Sequence, residues 1–222
     1  MGTGLVHFSI DDVSRSLRYV YEKNPKSIFD LRLYGTLKYW NEKYGLMVSL
    51  YCINEFEGFN IQSFPNAYAE ELAENKEWLR FGFHSSTEQP FLLDSNYRVG
   101  FTNTVRKFKE LDAGITDKIR LHSWFATAEQ KRWLVSQGVE MIFYPCDEKD
   151  FCFNKDGFFV DEGLKHQATK CWIEKIEVIN EKALYIGDGF ISCFTHEWCF
   201  DEQVDRIQEI ISLYYEAGYN FV

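Results

Sequence analysis

Carboxylates and histidines stand at the ends of short apolar runs in this sequence. Asp11 and Asp12 close the first run, His84 follows a second and His196 ends a late one. Carboxylate oxygens and imidazole nitrogens are ligands for zinc and related divalent ions, and imidazoles also transfer protons near neutral pH. Because α/β folds assemble their sites at the carboxyl ends of parallel strands, these side chains are predicted to share one pocket.

The adjacent carboxylates Asp11 and Asp12 allow two interpretations. Neighbouring strand residues point to opposite sides, so one carboxylate can reach a metal ion while the other turns toward a reacting water. Alternatively, Asp11, Asp12 or the nearby Ser14 caps the following helix by accepting its free backbone N–H groups. The dipeptide alone leaves both alternatives open.

His84 has a second carboxylate close to it in sequence. Glu88 lies four residues on, where one helical turn would bring it to the same face and let the pair hold a divalent ion. In the alternative, Ser85, Ser86 or Thr87 caps a helix, Glu88 serves its capping box and His84 belongs to the core. Both interpretations require a helix to begin just after His84.

Two more histidines, His122 and His196, end strand-like runs beside aromatic residues. Aromatic side chains can form the apolar face of a sugar pocket, although residues this abundant are more often in the core. Candidates for such contacts are Trp124, Trp198, Tyr144 and Phe125.

Three other polar residues are predicted to lie outside the pocket. His7 stands inside the first strand and is predicted to be structural, whereas His166, in a polar stretch, is predicted to be exposed or peripheral. Glu174 alternates with apolar neighbours, so it could point into the barrel, but an exposed strand carboxylate is the favoured prediction.

The elements that would position these residues alternate along the chain. Apolar spacing predicts helices at 14–22, 31–44, 65–78, 99–111, 128–137 and 204–215. Short apolar runs predict strands at 5–10, 46–53, 80–85, 119–122, 139–144, 171–179 and 190–196. A hairpin is predicted between 151–153 and 158–160, turning at 154–157. Alternating strands and helices indicate an α/β fold with a parallel sheet.

Composition limits the function classes. The 222 residues fit one domain, 1–222, and the hydrophobic fraction of 45% supplies a large core. A net charge of -10 argues against nucleic acid as a partner, since that binding needs clustered lysine and arginine. The six cysteines form no C-x-x-C pair and are predicted to be reduced thiols. No leader or membrane span is evident, so we expect a cytoplasmic location and no membrane partner.

Three motifs in order resemble the polysaccharide deacetylase family, the NodB-like carbohydrate esterases: Ser9–Asp12, Gly82–Ser85 and Phe194–His196. The resemblance spans nearly the whole chain. It implies an α/β fold of the distorted (β/α) barrel type, with the hairpin as a small excursion. It also implies a divalent metal ion held by Asp12 and His84. Asp11 would then be the general base, His196 the general acid, and Arg120 the residue that orients the base.

The chain departs from the family pattern at two positions. The family's second motif usually has a second histidine where this chain has Glu88, and Leu121 and His122 follow Arg120 where the family has proline near the arginine. His122 and Glu88 are therefore alternative candidates for the third metal ligand. Either choice gives a site suited to zinc, with cobalt, nickel or manganese as alternatives.

The resemblance implies a metal-dependent hydrolase that removes an acetyl group from an N- or O-acetylated sugar. Two alternatives remain open: a barrel that binds carbohydrate without catalysis, or a metal-dependent hydrolase of C–N bonds in a small molecule.

Overall fold

The computed structural model describes residues 4–89, 96–122, 124–145, 157–187 and 189–222. The strands are β1 (Leu5–Val13), β2 (Val48–Phe56), β3 (Phe59–Asn60), β4 (Leu79–Thr87), β5 (Gly114–Ile115), β6 (Lys118–Ile119), β7 (Met141–Pro145), β8 (Phe158–Asp161), β9 (Leu164–Thr169), β10 (Cys171–Trp172), β11 (Phe190–His196) and β12 (Asn220–Phe221). The helices are α1 (Arg15–Lys23), α2 (Arg32–Tyr44), α3 (Ala69–Glu74), α4 (Tyr97–Glu110), α5 (Ala128–Ser136) and α6 (Phe200–Glu216).

The strands form two mostly parallel sheets. The larger sheet has the order β10-β11-β1-β2-β4-β5, with β12 beside β1 and β3 beside β2, and the smaller has the order β6-β7-β9-β8. Nearly every residue of β2 is buried, as expected for a parallel strand covered on both faces. The predicted α/β fold with a mostly parallel sheet is confirmed.

Single backbone hydrogen bonds join the two sheets at two seams. At one seam the His122 N–H donates to the carbonyl of His84 at 3.1 Å, and at the other the Lys170 N–H donates to the carbonyl of Ser192 at 3.2 Å. Within the ranges that the structure describes, continuous ladders of hydrogen bonds do not close the ring. The resulting distorted barrel brings the ends of β1, β4, β6 and β11 to one side.

Helices with strong local signals match their predictions. Thr127 and Gln130 form the predicted capping box at the start of α5, which satisfies two N–H groups reciprocally. In α6 the predicted inward residues Ile207, Ile210, Ile211 and Tyr214 are all buried.

Other predicted elements are wrong in extent or kind. The strand predicted at 171–179 ends at Trp172, because Ile173–Lys175 turns into a 3-10 helix. The helix predicted at 65–78 reduces to a 3-10 turn followed by the short α3. In the hairpin, residues 158–160 belong to β8, which pairs with β9 through a turn at Glu162 and Gly163. The predicted first arm at 151–153 and most of its turn lie outside the described residues.

Described cysteines are free and buried thiols: Cys52, Cys171, Cys193 and Cys199. This agrees with the prediction of reduced cysteines for those four positions. None of the helices in the described ranges combines the length and the apolar character that a bilayer crossing requires.

Candidate metal centre and catalytic pocket

The end of β1 changes direction between its two carboxylates. Asp12 has a φ of 59°, and the pairing of β1 with β2 shifts register between Ile10 and Val13. Aspartate tolerates this left-handed conformation better than most residues, and such backbone conformations cluster at functional sites. The two neighbouring carboxylates consequently enter different environments.

Neither carboxylate caps α1. The N-terminus of that helix is instead bound by Glu197, whose carboxylate accepts from the N–H groups of Ser14 at 2.9 Å, Arg15 at 2.8 Å and Ser16 at 2.9 Å. The Ser14 side chain makes no capping bond either. The capping alternative is therefore wrong for Asp11, Asp12 and Ser14.

Asp12, His84 and His122 form a compact group, here called the Asp12 cluster. Asp12 Oδ1 lies 3.2 Å from His84 Nε2 and 3.1 Å from His122 Nδ1. The three ligand-type atoms all lie within 4.8 Å of one another. One carboxylate oxygen and two imidazole nitrogens are a donor set that zinc and similar ions accept.

Two observations within the Asp12 cluster fit a bound cation. Asp12 Oδ1 and His122 Nδ1 are buried and make no hydrogen bond, although they lie close together. His84 Nδ1 lies 2.5 Å from the carbonyl oxygen of Arg120. Because a carbonyl only accepts, Nδ1 carries a proton, so Nε2 is the ring nitrogen that is available to a cation.

The cluster also keeps Asp12 ionised. Burial raises the pKa of Asp12, but the neighbouring His122 and His84 lower it by more, so the pKa lies well below its usual range. Burial lowers the pKa of His84, and the carboxylates of Asp12 and Asp11 raise it above the ordinary value overall. A carboxylate that stays charged is the form that a cation requires.

Glu88 is not part of this group. Strand β4 continues through Thr87, so the helical turn predicted after His84 is wrong, and with it the capping box. Glu88 is exposed at a bend beyond the strand. The structure brings His122, and not Glu88, together with Asp12 and His84.

Asp11 enters a second group, here called the Arg120 cluster. Arg120 is fully buried, and its Nη1 donates to Asp11 Oδ1 at 2.9 Å and to Ser9 Oγ at 2.7 Å. Its Nη2 donates to Ser192 Oγ at 3.0 Å and to Thr169 Oγ1 at 3.3 Å. The Arg120 side chain lies beside Asp11 as expected, and it ties β1 to β9 and β11.

His196, at the end of β11, pairs with a residue that sequence reasoning placed elsewhere. Its Nδ1 lies 2.9 Å from Glu174 Oε1, which also accepts from the His196 N–H at 2.8 Å, Thr195 Oγ1 at 3.0 Å and Cys199 Sγ at 2.9 Å. Glu174 lies in a 3-10 helix with a side chain only 13% exposed, so the prediction of an exposed strand carboxylate is wrong.

The environment of Glu174 favours its charged form. Burial raises the pKa of Glu174, but His196 and the other donors lower it by more, so the pKa falls to about 2. An ionised carboxylate on Nδ1 fixes the imidazole ring and directs Nε2 away from Glu174. The sequence spacing of Glu174 and His196 does not indicate this pairing, because the pair forms only when the 3-10 helix packs beside β11.

Aromatic residues border the pocket unequally. Trp198 is 55% exposed, stacks on His196 with ring centroids 5.2 Å apart and donates from Nε1 to Asp12 Oδ2 at 3.2 Å. Trp124 packs against Phe194, with centroids 5.5 Å apart. Phe125 is exposed, whereas Tyr144 is buried against His166, so the structure does not bring Tyr144 to the pocket.

Both remaining histidines are buried. His7, predicted to be structural, lies in β1 with Nε2 3.1 Å from the Tyr51 hydroxyl. The prediction that His166 is exposed is wrong, since it lies fully buried in β9 and stacks on Phe159. Its burial lowers the pKa of His166 to about 4.

Comparisons of the sequence with protein-family models and with curated proteins give no match. Comparison of the structure with solved structures gives several matches. The chitin deacetylase from the fungal pathogen Colletotrichum lindemuthianum aligns with 100% of this chain and 86% of its own, at a TM-score of 0.55 and 15% identity. The peptidoglycan deacetylase PdaC from Bacillus subtilis aligns with 99% of this chain and 87% of its own, at a TM-score of 0.54 and 16% identity.

A third similar structure has a different activity. The 4-alpha-glucanotransferase from Thermococcus litoralis aligns with 100% of this chain but only 39% of its own, at a TM-score of 0.61 and 11% identity. At these identities the likeness shows the fold alone. The chain thus has the fold of polysaccharide deacetylases, and its chemistry has to be argued from its own residues.

Proposed function

Since the chain has the polysaccharide deacetylase fold, we propose that it is a metal-dependent hydrolase removing an acetyl group from an N- or O-acetylated sugar. The observation that carries the proposal is the Asp12 cluster. Asp12 Oδ1 and His122 Nδ1 are buried without hydrogen bonds, and His84 Nε2 lies 3.2 Å from Asp12 Oδ1. Two unpaired polar atoms at one point are costly to bury unless a cation binds them.

Asp12, His84 and His122 would hold a divalent ion, with zinc the best fit to the nitrogen-rich donor set. Such an ion, when bound, lowers the pKa of a water molecule and polarises a carbonyl oxygen. The carbonyl of Arg120 fixes the ring of His84 through Nδ1. Loss of that contact would loosen the ligand, because partners of metal-bound histidines orient them.

Asp11 and His196 are proposed to move the protons. Asp11 adjoins Asp12 in sequence and is held by Arg120 through Oδ1, which orients it as a general base for the attacking water. His196, held by Glu174 through Nδ1, would donate a proton from Nε2 to the leaving nitrogen or oxygen. A base and an acid on two different strands allow the proton to enter and leave at different points.

Trp198 is proposed to support the sugar. Its indole is largely exposed and is fixed by its hydrogen bond to Asp12 and its stacking on His196. An exposed aromatic face beside the reacting groups is suited to an apolar sugar face. The names of the similar structures, a chitin deacetylase and a peptidoglycan deacetylase, support an acetylated carbohydrate as the substrate class.

The test combines metal content with acetate release. Purified protein is analysed by elemental mass spectrometry and then assayed on chitooligosaccharides and O-acetylated xylooligosaccharides, before and after chelation. We expect about one ion per chain, acetate release that stops on chelation, and recovery with zinc. Asp11→Asn should retain the ion and lose acetate release. A wild type that takes up no ion from zinc, cobalt, nickel or manganese would contradict the proposal.

A further inference from the structure

A second cavity shares a wall with the catalytic pocket. It has a volume of about 540 Å³ and lies where β9, β10 and the segment after β10 meet, a size that accommodates a sugar with a substituent. Trp172 and Phe194 line it and also contact His196, with ring centroids 5.8 and 5.3 Å away. The cavity therefore adjoins the residue proposed to protonate the leaving group.

The charge of this cavity is opposite to that of the protein. The chain carries a net charge of -10, yet among the described residues that line the cavity are three lysines, Lys170, Lys175 and Lys182, and one carboxylate, Glu177. Lys175 and Lys182 form no ion pair with a carboxylate in the described part of the chain. A local positive potential in an acidic protein favours an anionic ligand group.

Aromatic rings hold two of these lysines beside the cavity. Lys175 Nζ lies 3.6 Å from the centroid of the Trp172 ring, and Lys170 Nζ lies 5.7 Å from that of Tyr185. The cation–π contact of Lys175 restrains its long side chain without neutralising the charge. Trp124, on the same wall, adds another aromatic surface for a sugar ring.

The cavity on the other side of His196 differs in charge. It has a volume of about 480 Å³ and includes Trp198, and its two arginines, Arg15 and Arg32, face three carboxylates, Asp30, Glu197 and Asp201. Arg32 lies 3.5 Å from Asp201. Positive charge in excess of negative charge is thus a property of the first cavity and not of its neighbour.

We infer that the lysine-bearing cavity binds a negatively charged substituent, a phosphate or a carboxylate, on the sugar portion of the substrate. This inference rests on the proposed function, because His196 protonates the leaving group and the sugar is the part that leaves. An anionic acylated sugar would place its charge near Lys175 and Lys182 while its acetyl group reaches the Asp12 cluster.

The test measures binding by isothermal titration calorimetry on the full metal-loaded chain, with acetate assayed after each titration. The probes are N-acetylglucosamine, N-acetylglucosamine 1-phosphate and N-acetylmuramic acid, which differ in charged group. We expect at least one anionic sugar to bind about tenfold more tightly than the neutral one. In the double variant Lys175→Gln/Lys182→Gln this ratio should fall to about one, as it should at 1 M salt.

Lys43→Gln/Lys109→Gln is the matched control. Both lysines are exposed, and Lys43 also lies over tyrosine rings, but neither lines the cavity. The control should keep the tenfold ratio. Equal affinities for all three sugars in the wild type, or an unchanged ratio in the double variant, would overturn the inference while leaving hydrolysis to be judged separately. An anion preference without acetate release from any sugar would contradict the proposed function alone.

Discussion

The Arg120 cluster and the Asp12 cluster begin one residue apart on β1 and are built in opposite ways. In the first, Asp11 and Arg120 are 1% and 0% exposed, and hydrogen bonds from both guanidinium Nη atoms reach surrounding side chains. In the second, Asp12 and His122 are partly exposed and leave ligand atoms without hydrogen bonds. In the Arg120 cluster Nε makes no hydrogen bond either, but the four hydrogen bonds from the Nη atoms suit this cluster to holding strands together. Unpaired ligand atoms gathered at one point suit the Asp12 cluster to binding.

Removing the arginine should give the largest effect. Arg120→Met leaves Asp11 buried without its partner, so we expect the free energy of unfolding to fall by about 3–5 kcal/mol. The free energy of unfolding is measured by urea denaturation monitored by circular dichroism. Arg98→Met is the control, since Arg98 and Glu129 form an exposed pair, and should cost less than about 1 kcal/mol.

A double variant sharpens this result. Arg120→Met combined with Asp11→Asn removes the unpaired charge and should be more stable than Arg120→Met alone. If the two unfold at the same urea concentration, the carboxylate of Asp11 is not the source of the cost, and the Arg120 cluster would not differ from ordinary core packing.

Removing a ligand from the Asp12 cluster should change metal binding more than folding. In His122→Ala we expect zinc affinity to fall about 100-fold or more, equivalent to about 2.7 kcal/mol, because one of three protein donors is lost. The measurement is competition with a chelator of known affinity. Unfolding of the metal-free protein should change by less than about 1 kcal/mol, since the side chain is partly exposed.

Glu88→Ala is the matched variant for that comparison. Glu88 is exposed and lies outside the Asp12 cluster, so the zinc affinity of the variant should equal that of the wild type. A loss of zinc in Glu88→Ala with full binding in His122→Ala would reverse the assignment of the third ligand.

The His196–Glu174 pair lies between the two clusters in exposure, with side chains 15% and 13% exposed. In Glu174→Gln the carboxylate that holds His196 Nδ1 is lost, so kcat should fall about 10- to 100-fold. A role in positioning also predicts that KM and zinc content stay constant and that Glu174→Asp, which keeps the carboxylate, recovers part of the loss. Equal losses of kcat in the two variants would contradict this role.

Acid stability should show a smaller effect of the same residue. The pKa of Glu174 falls from an ordinary 4.5 to about 2 on folding, so its ionised form stabilises the protein above pH 4.5 and this contribution is lost as the pH falls toward 2. Over that interval the metal-free wild type should lose more stability than Glu174→Gln. The exposed Glu55→Gln serves as control and should follow the wild type, and urea unfolding at each pH provides the measurement.

The sequence predicted best what local chemistry determines. The strand at 190–196 and the capping box of Thr127 and Gln130 match the structure, because periodicity and capping act over a few residues. His166 was misjudged because its burial depends on β8, which reaches it by a turn that the sequence pattern placed elsewhere. The end of β10 before Ile173 was not predicted, because the apolar alternation of the sequence continues there although the backbone turns into a 3-10 helix.

The candidate site was predicted in part for the same reason. Asp11, Asp12, His84 and His196 stand at strand ends that sequence reasoning located, and the structure brings them to one side of the sheets. Glu174 and Glu197 were not predicted, because their partners are distant in sequence. The choice between Glu88 and His122 depended on whether β4 ended at His84, and backbone pairing to β2 carries that strand on to Thr87.

The binding of Glu197 to the start of α1 also bears on the order of events during synthesis. Its carboxylate meets the N–H groups of Ser14, Arg15 and Ser16 across 181 to 183 residues of chain. While the ribosome is still producing the middle of the protein, α1 begins without its acceptor, and helix starts left unbound are less stable. The segment that carries Glu197 also delivers His196, so α1 gains its acceptor and the candidate pocket gains this histidine in one step, long after the residues of α1 are made.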